Sequence, residues 1–427
     1  LLLKENARWL NKCASQASYT KECVQGRAVK ALFAFCRAGR VLEKRAMADD
    51  MSSLDLRFRS LEEGVLVERL NRFVTRVKVG RREVQCFTAN PVRGEALFRA
   101  GAPVIIQRSS RGVRKTPYDL LLVKQDGTWV LVDTHLSSEL VFRWLKEKKL
   151  PELAAYERVA KEVAWGNSTF DFHLSGSGGE AYLELKSVSL AAGGVARFPD
   201  GVTERGRRHV EELSEMARRG LGAFVLFLVE RDDVSEFTAN FAVDPRFSAS
   251  LLRAIARGVV PLCYHLDCSP NGARLGGKLP LFSSRANSSH NEGCYHLVIE
   301  LSKAIRLRHP KFSKVDFPAG FYVYTGSAKK NLLYRVARHL SAKQNRWHID
   351  YLLSSGQASI LDVILLPWEH QGECRANLEV GTMIGAVVPA KGFGASDCRC
   401  GCPAHLYRFG RLPRRFRSRL PTTCQRE

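Results

Sequence analysis

Apolar and polar residues alternate with a period of two over 66–133, and helical and strand-like blocks follow one another after that. The runs RFVTRVKV, REVQCF, APVIIQR, YDLLLVK and TWVLVD read as short strands, punctuated by GRR, NPVRGE, SSRG and QDG. Strands so short and closely spaced suit a small all-β barrel such as an OB-fold, in which Arg72, Arg76 and Arg93 could line a nucleic-acid groove. Helices are predicted over 137–146 and 154–163. In VTERGRRHVEELSEMARRG, Val210, Leu213, Met216 and Ala217 repeat at helical spacing behind Thr203, a natural N-cap. GAFVLFLVE is a continuous apolar run, as in a strand buried on both faces. FSASLLRAIARG and VVPLCYHL add a helix and a strand, which makes an α/β unit. The polar, glycine-rich stretch 270–291 reads as a linker. Beyond it GCYHLVIEL and FPAGFYVYTGSA predict strands, and NLLYRVARHLS a helix with Arg335, Arg338 and His339 on one face. Residues 408–427, with seven arginines, read as a basic tail.

The most informative segment is DFHLSGSGGEAYLELK, residues 171–186. If Ser177 and Gly178 form a two-residue hairpin loop, Asp171 faces Glu184, and Lys186 shares the face of Glu184. Directly opposed side chains have Cβ atoms roughly 4.5–5.5 Å apart, so the two carboxylates repel unless a cation lies between them. Magnesium or manganese takes oxygen ligands and keeps water positions open for a phosphate. The arrangement is that of a metal-dependent nuclease core. A one-residue slip of register would separate these groups, and solvated hairpins also carry such charges.

Composition widens the case. The formal charge of +23 favours a polyanionic partner. DNA is the expected one, and composition does not separate it from RNA. No apolar run reaches the roughly 18 residues of a bilayer span, and there is no tripartite signal peptide. The twelve cysteines are scattered, as befits reduced thiols, so a soluble cytoplasmic protein is expected. Residues 1–60 read as an extension, with Met47 or Met51 a more natural start than Leu1. Cys398, Cys400, Cys402 and His405 are metal-type ligands, but C-x-C-x-C-x-x-H is an unusual zinc spacing, and free thiols near a turn are the plainer expectation. His339 and His348 read as surface or core histidines before phosphate contacts.

Two family resemblances sharpen these expectations. NRF (71–73), KTPYDL (115–120), EVAWGNSTFDF (162–172), YLELKSVSL (182–190) and FPDGVTERGRRHVEEL (198–213) resemble, in order, the sugar fermentation stimulation protein A family. That resemblance implies a DNA-binding protein with an OB-like domain (61–135) and a PD-(D/E)xK nuclease-like α/β domain (136–269). It carries over Asp171, Glu184 and Lys186 as the metal and phosphate site, with Glu162 as a further ligand; Arg205, on the helical segment, is a separate candidate nucleic-acid contact. The family's CPNxGR-like segment here reads TANPVRG. Residues 292–407 are similar to a divergent GIY-YIG nuclease domain, through GCY, YTG, WHIDYLL, GECRANLE and GFGASDCRCGCPAHLY. The resemblance implies catalytic roles for Tyr295, Tyr324 and Arg335 and a metal ligand in Glu373; Arg338, on the same helix face as Arg335, is a candidate phosphate contact. Cys294 and Thr325 replace the isoleucines of the two triplets. The expected function is DNA binding with metal-dependent phosphodiester cleavage. The rival is a non-catalytic DNA-binding regulator of sugar metabolism.

Overall fold

In a computed structural model, the described residues are 55–90, 97–109, 116–282, 292–340, 345–367 and 372–417. Arg93, Met47 and Met51, with the expectations placed on them, lie outside these residues. A two-residue strand β1 (Leu56–Arg57) precedes a barrel built from β2 (Leu61–Asn71), β3 (Val74–Val79), β4 (Arg82–Phe87), β5 (Pro103–Arg108) and β6 (Tyr118–Gln125), extended by β7 (Thr128–Leu131). The order β4-β3-β2-β5-β6-β7, with a further β4–β6 pairing, closes five strands into a ring. Inward positions Leu66, Val77, Cys86, Val104, Ile106, Leu120 and Val123 fill it. The sequence pattern misses β2, whose charged outer positions mask its alternation.

The second domain holds helix α1 (Thr134–Lys146), strands β8 (Tyr156–Trp165), β9 (Ser168–Gly176) and β10 (Gly179–Val188), and a small sheet of β11 (Ala191–Ala192), β12 (Val195–Phe198) and β14 (Glu236–Ala239). Helix α2 (Glu204–Arg218), β13 (Gly222–Val229), α3 (Pro245–Ala256), β15 (Val260–Ser269) and β16 (Gly272–Lys278) complete it. Its main sheet runs β1-β16-β15-β13-β10-β9-β8. Thr203 caps α2, its hydroxyl accepting the Gly206 N–H at 3.1 Å. β13 lies between β10 and β15, parallel to both, and seven of its eight residues are buried.

Several features differ from the sequence expectation. Residues 154–163 are not helix: β8 pairs along β9 from Tyr156 to Trp165 and forms the sheet edge. Its exposed Glu and Lys residues suit an edge strand, where charge discourages further pairing. The expected linker contains β16, held against β15. The extension does not reach residue 60, because Asp55 accepts hydrogen bonds from Trp144 Nε1 and the Leu275 amide, both at 2.8 Å.

The third domain places β17 (Gly293–Leu301) between β20 (Gly320–Ala328) and β21 (Ala358–Pro367), with β22 (Leu406–Phe409) on the outer side of β20. β18 (Ile305–Arg306) and β19 (Asp316–Phe317) form a small ladder, and helices α4 (Leu332–Leu340), α5 (His348–Leu353), α6 (Glu373–Gly381) and α7 (Arg414–Arg417) surround the sheet. Arg408 therefore belongs to the sheet, and Leu412 and Phe416 are buried, so the tail begins later than 408. Helix α3 docks the second domain on the third: Arg253 meets the fully buried Asp362 at 3.4 Å, and Arg257 donates to the Leu361 carbonyl at 2.6 Å. Among the described residues, no helix is long and apolar enough to cross a membrane.

Candidate metal and nucleic-acid site

The β9–β10 hairpin adopts the register expected from its loop. Gly176 pairs with Gly179 around Ser177–Gly178, and the ladder continues to Phe172 and Leu183. The next positions are Asp171 and Glu184. Asp171 Oδ2 accepts the Leu185 N–H at 2.7 Å, locking its carboxylate against β10. Glu184 is 4% exposed. Its Oε1 accepts from Lys186 Nζ at 2.5 Å and bonds His209 Nδ1, while its Oε2 is buried with no hydrogen-bond partner. Burial, then the neighbouring Glu184 charge, pushes the Asp171 carboxyl up to about 7. Burial pushes Glu184 up too, but Lys186 and His209 outweigh it and hold that carboxyl below its ordinary value. Two inward-facing carboxylates, one raised by the other and one with a bare oxygen, form a donor set suited to a hard cation.

The backbone is irregular where the site forms. Phe170 packs on His209 (5.4 Å between centroids), whereas Phe172 packs on Phe142 beyond the opposite face, so the period-two alternation breaks across Asp171. On the edge strand, Lys161 pairs with Phe172 and Val163 with Phe170, and Glu162 between them has φ of +54°. Such a conformation is uncommon for a residue with a Cβ, and kinks of this kind re-aim side chains beside active sites. Glu162 itself is exposed and sits at the Asp171 end of the ladder, so its backbone is close while its side chain faces solvent.

Sequence reasoning missed His209. It sits on α2 one turn beyond Arg205, whose Nε donates to His209 Nε2 at 3.3 Å. Only the helix spacing of Arg205 and His209 hinted at this pairing. Arg205 is exposed near Asp171 and lowers the pKa of that carboxyl. In the barrel, Arg72 is exposed at the β2–β3 turn, but Arg76 is paired with Glu68 at 3.0 Å and is not an open phosphate contact. Beside Arg72, Phe73 is 46% exposed and stacks on Phe87, with centroids 6.4 Å apart and planes at 12°. An exposed ring next to a basic turn has the chemistry to stack a nucleic-acid base. The strand pattern marks Phe73 only as one residue of an apolar run.

In the third domain Tyr295 and Tyr324 sit on adjacent strands, with centroids 6.2 Å apart. Tyr295 OH bonds His339 Nε2 at 2.8 Å, and His339 Nδ1 bonds Asp350 Oδ1 at 2.8 Å. Burial raises both tyrosines above their ordinary value. Burial also pushes Asp350 up, but His339 and Arg338 outweigh it and hold this carboxyl well below the carboxylate range. The expected phosphate contact Arg338 is instead committed to Asp350 at 2.9 Å and lies 3.7 Å over the Trp347 ring, because its helix face turns inward. Arg335 lies over the same ring at 4.7 Å and donates to the Ser327 carbonyl. Glu373 Oε1 bonds His405 Nδ1 at 3.0 Å, and its Oε2 accepts from Ser327 Oγ. Tyr295, Tyr324, Arg335 and Glu373 thus gather around one end of β17 and β20, joined by His339 and Asp350. His348 is a structural acceptor, taking the Gly394 N–H at 2.9 Å.

Comparison with known proteins follows the same three-part division. Residues 67–132 match the SfsA N-terminal OB domain, 135–272 the sugar fermentation stimulation protein RE domain, and 294–422 the domain of unknown function DUF123. A sugar fermentation stimulation protein homolog of Desulforamulus reducens is 38% identical over 230 residues, 54% of this chain and 96% of that protein. One from Natranaerobius thermophilus is 39% identical over 230 residues, 53% of this chain and 96% of its own length. Among solved structures, Pyrococcus furiosus SfsA in complex with Ca2+ aligns at 28% identity and a TM-score of 0.51, covering 53% of this chain and 98% of that one. By its first two domains this chain belongs to the sugar fermentation stimulation protein family, and it carries a GIY-YIG-like DUF123 domain in addition.

Proposed function

We propose that this protein binds DNA and cleaves phosphodiester bonds at the β9–β10 hairpin, with Mg2+ or Mn2+ as cofactor. The observation that carries this reading is the buried, partnerless Glu184 Oε2 beside Asp171, on the sheet face that also holds Lys186. A divalent cation bound there would supply charge neutralisation for a phosphate and lower the pKa of a bound water. The Pyrococcus furiosus relative was solved in complex with Ca2+, which supports a divalent ion in this family. Asp171 and Glu184 would hold the ion. Lys186, anchored on Glu184 Oε1, places a positive charge where a phosphoryl oxygen or an attacking water gains from it. His209 fixes the Glu184 carboxylate from behind. The OB barrel, with Arg72 and Phe73, would grip the strand, and the +23 charge would draw the polyanion in.

The hydrogen-bonded chain Tyr295–His339–Asp350 favours a second phosphodiester site in the third domain. Asp350 fixes the His339 proton on Nδ1, which leaves Nε2 to take the Tyr295 proton. Arg335 would stabilise phosphate charge there. Plasmid, single-stranded and branched DNA incubated with Mg2+ or Mn2+ test both sites. Loss of cleavage in Asp171→Ala or Glu184→Ala, with Arg335→Ala active, supports the hairpin site, and the opposite pattern supports the second. Salt-sensitive binding without cleavage of any substrate leaves the non-catalytic regulator, and parallel assays with RNA decide the nucleic acid.

A further inference from the structure

The loop from 382 to 405 contains no helix or strand, yet its end is held tightly against α6. Asn377 Nδ2 donates to the Ala404 carbonyl at 2.8 Å, and the Gly392 amide donates to the Pro403 carbonyl at 2.7 Å. At this junction Cys374, on the first turn of α6, meets Cys398, Cys402 and His405, and their ligand atoms all lie within 4.8 Å of one another. Cys400, which the sequence grouped with them, is exposed, and although its thiol lies near Cys374 it is not one of the four mutually close ligands. The fourth ligand therefore comes from a helix distant in sequence, and the loop itself contributes C-x3-C-x2-H.

We propose that Cys374, Cys398, Cys402 and His405 form a tetrahedral zinc site that staples this loop to α6. Three observations support it. The Sγ atoms of Cys374 and Cys398 are 3.6 Å apart. That is far longer than a disulfide and close to the S···S edge of about 3.8 Å that a Zn–S length of about 2.3 Å gives in a tetrahedron. His405 is 2% exposed, its Nδ1 is engaged by Glu373 Oε1, and its Nε2 is buried with no hydrogen-bond partner. A histidine held by a carboxylate through one nitrogen and bare at the other is the usual arrangement of a zinc ligand. Gly401, with φ of +73°, turns the loop between Cys398 and Cys402 so that both thiols reach Cys374. Three thiolates and an imidazole select zinc over the hard cations of the hairpin site. Closed by four protein ligands, the site is structural, and through His405 it fixes Glu373.

Metal content, read independently of cleavage, tests this. The full chain, purified reduced and without chelator, carries one zinc, and Co2+ in its place gives the absorption of tetrahedral cobalt thiolate. Cys374→Ser and His405→Gln lower bound zinc at least tenfold, while Cys400→Ser keeps it. In the unsubstituted protein, iodoacetamide modifies Cys400 at once, and Cys374, Cys398 and Cys402 only after zinc is stripped. This labelling order holds even if a ligand variant fails to fold. A reduced chain that takes up no zinc, full zinc in Cys374→Ser, loss in Cys400→Ser, or equal labelling of all four thiols overturns the proposal.

Discussion

Replacing Asp171 by Asn should stabilise the metal-free protein at neutral and alkaline pH. The Asp171 carboxyl rises from 3.8 to about 7 through burial and the Glu184 charge. At 1.36 kcal/mol per unit this corresponds to on the order of 4 kcal/mol of unfavourable energy in the ionised form. The folded pKa lies above the unfolded one, so the folded state binds more protons between them. The associated stability is fully present below about pH 4 and is lost as pH rises through about 7. Asn keeps an oxygen for the Leu185 N–H and removes the charge. Urea unfolding in EDTA at pH 4, 6 and 8 reads the difference between variant and parent. It should be small at pH 4 and reach a few kcal/mol in favour of Asp171→Asn at pH 8. Mn2+ should then stabilise the parent and leave the variant unchanged. An Asp171→Asn protein no more stable than the parent at pH 8 would refute the buried-repulsion argument.

Other consequences can be measured separately. Phe73→Ala should weaken single-stranded DNA binding by about 1–3 kcal/mol, as loss of one stacked base does, whereas Arg76→Ala, already paired with Glu68, should change it by under about 1 kcal/mol; equal effects in a fluorescence-anisotropy titration would discount stacking on Phe73. Raising salt from 50 to 200 mM should lower DNA affinity by about tenfold or more if several phosphates are contacted, and a flat response contradicts an electrostatic grip. Arg253→Ala removes the guanidinium that meets buried Asp362, leaving only the nearby Arg257 charge, and should cost about 3 kcal/mol in urea unfolding. Adding Asp362→Asn should recover part of that loss, and a double variant no better than the single would show that packing matters more than the charge.

The hairpin was legible because its glycine-flanked loop permits one tight turn, and period two then decides which side chains meet. Thr203 and the buried run of β13 were legible because caps and continuous apolar stretches are local signals. What escaped depended on distant partners. Residues 154–163 carry helix formers, but the β9 ladder outweighed local propensity. β16 looks like a linker because its glycines accommodate the His265 side chain of its neighbour: a Cβ on Gly276 would lie 2.3 Å from that ring. His209 reached Glu184 through tertiary packing, and Cys374 joined the later cysteines across a loop without regular structure. In the third domain the motif residues lie near one another at one end of the sheet, but the inward turn of Arg338 was set by Trp347 and Asp350.

The most direct test of the central claim is a crystal of this protein soaked in Mn2+, with anomalous density recorded at the manganese edge. A peak bonded to Asp171 and to Glu184 Oε2 is expected, absent from Glu184→Ala crystals of the same form. A fully soaked crystal with no manganese between those carboxylates would contradict it.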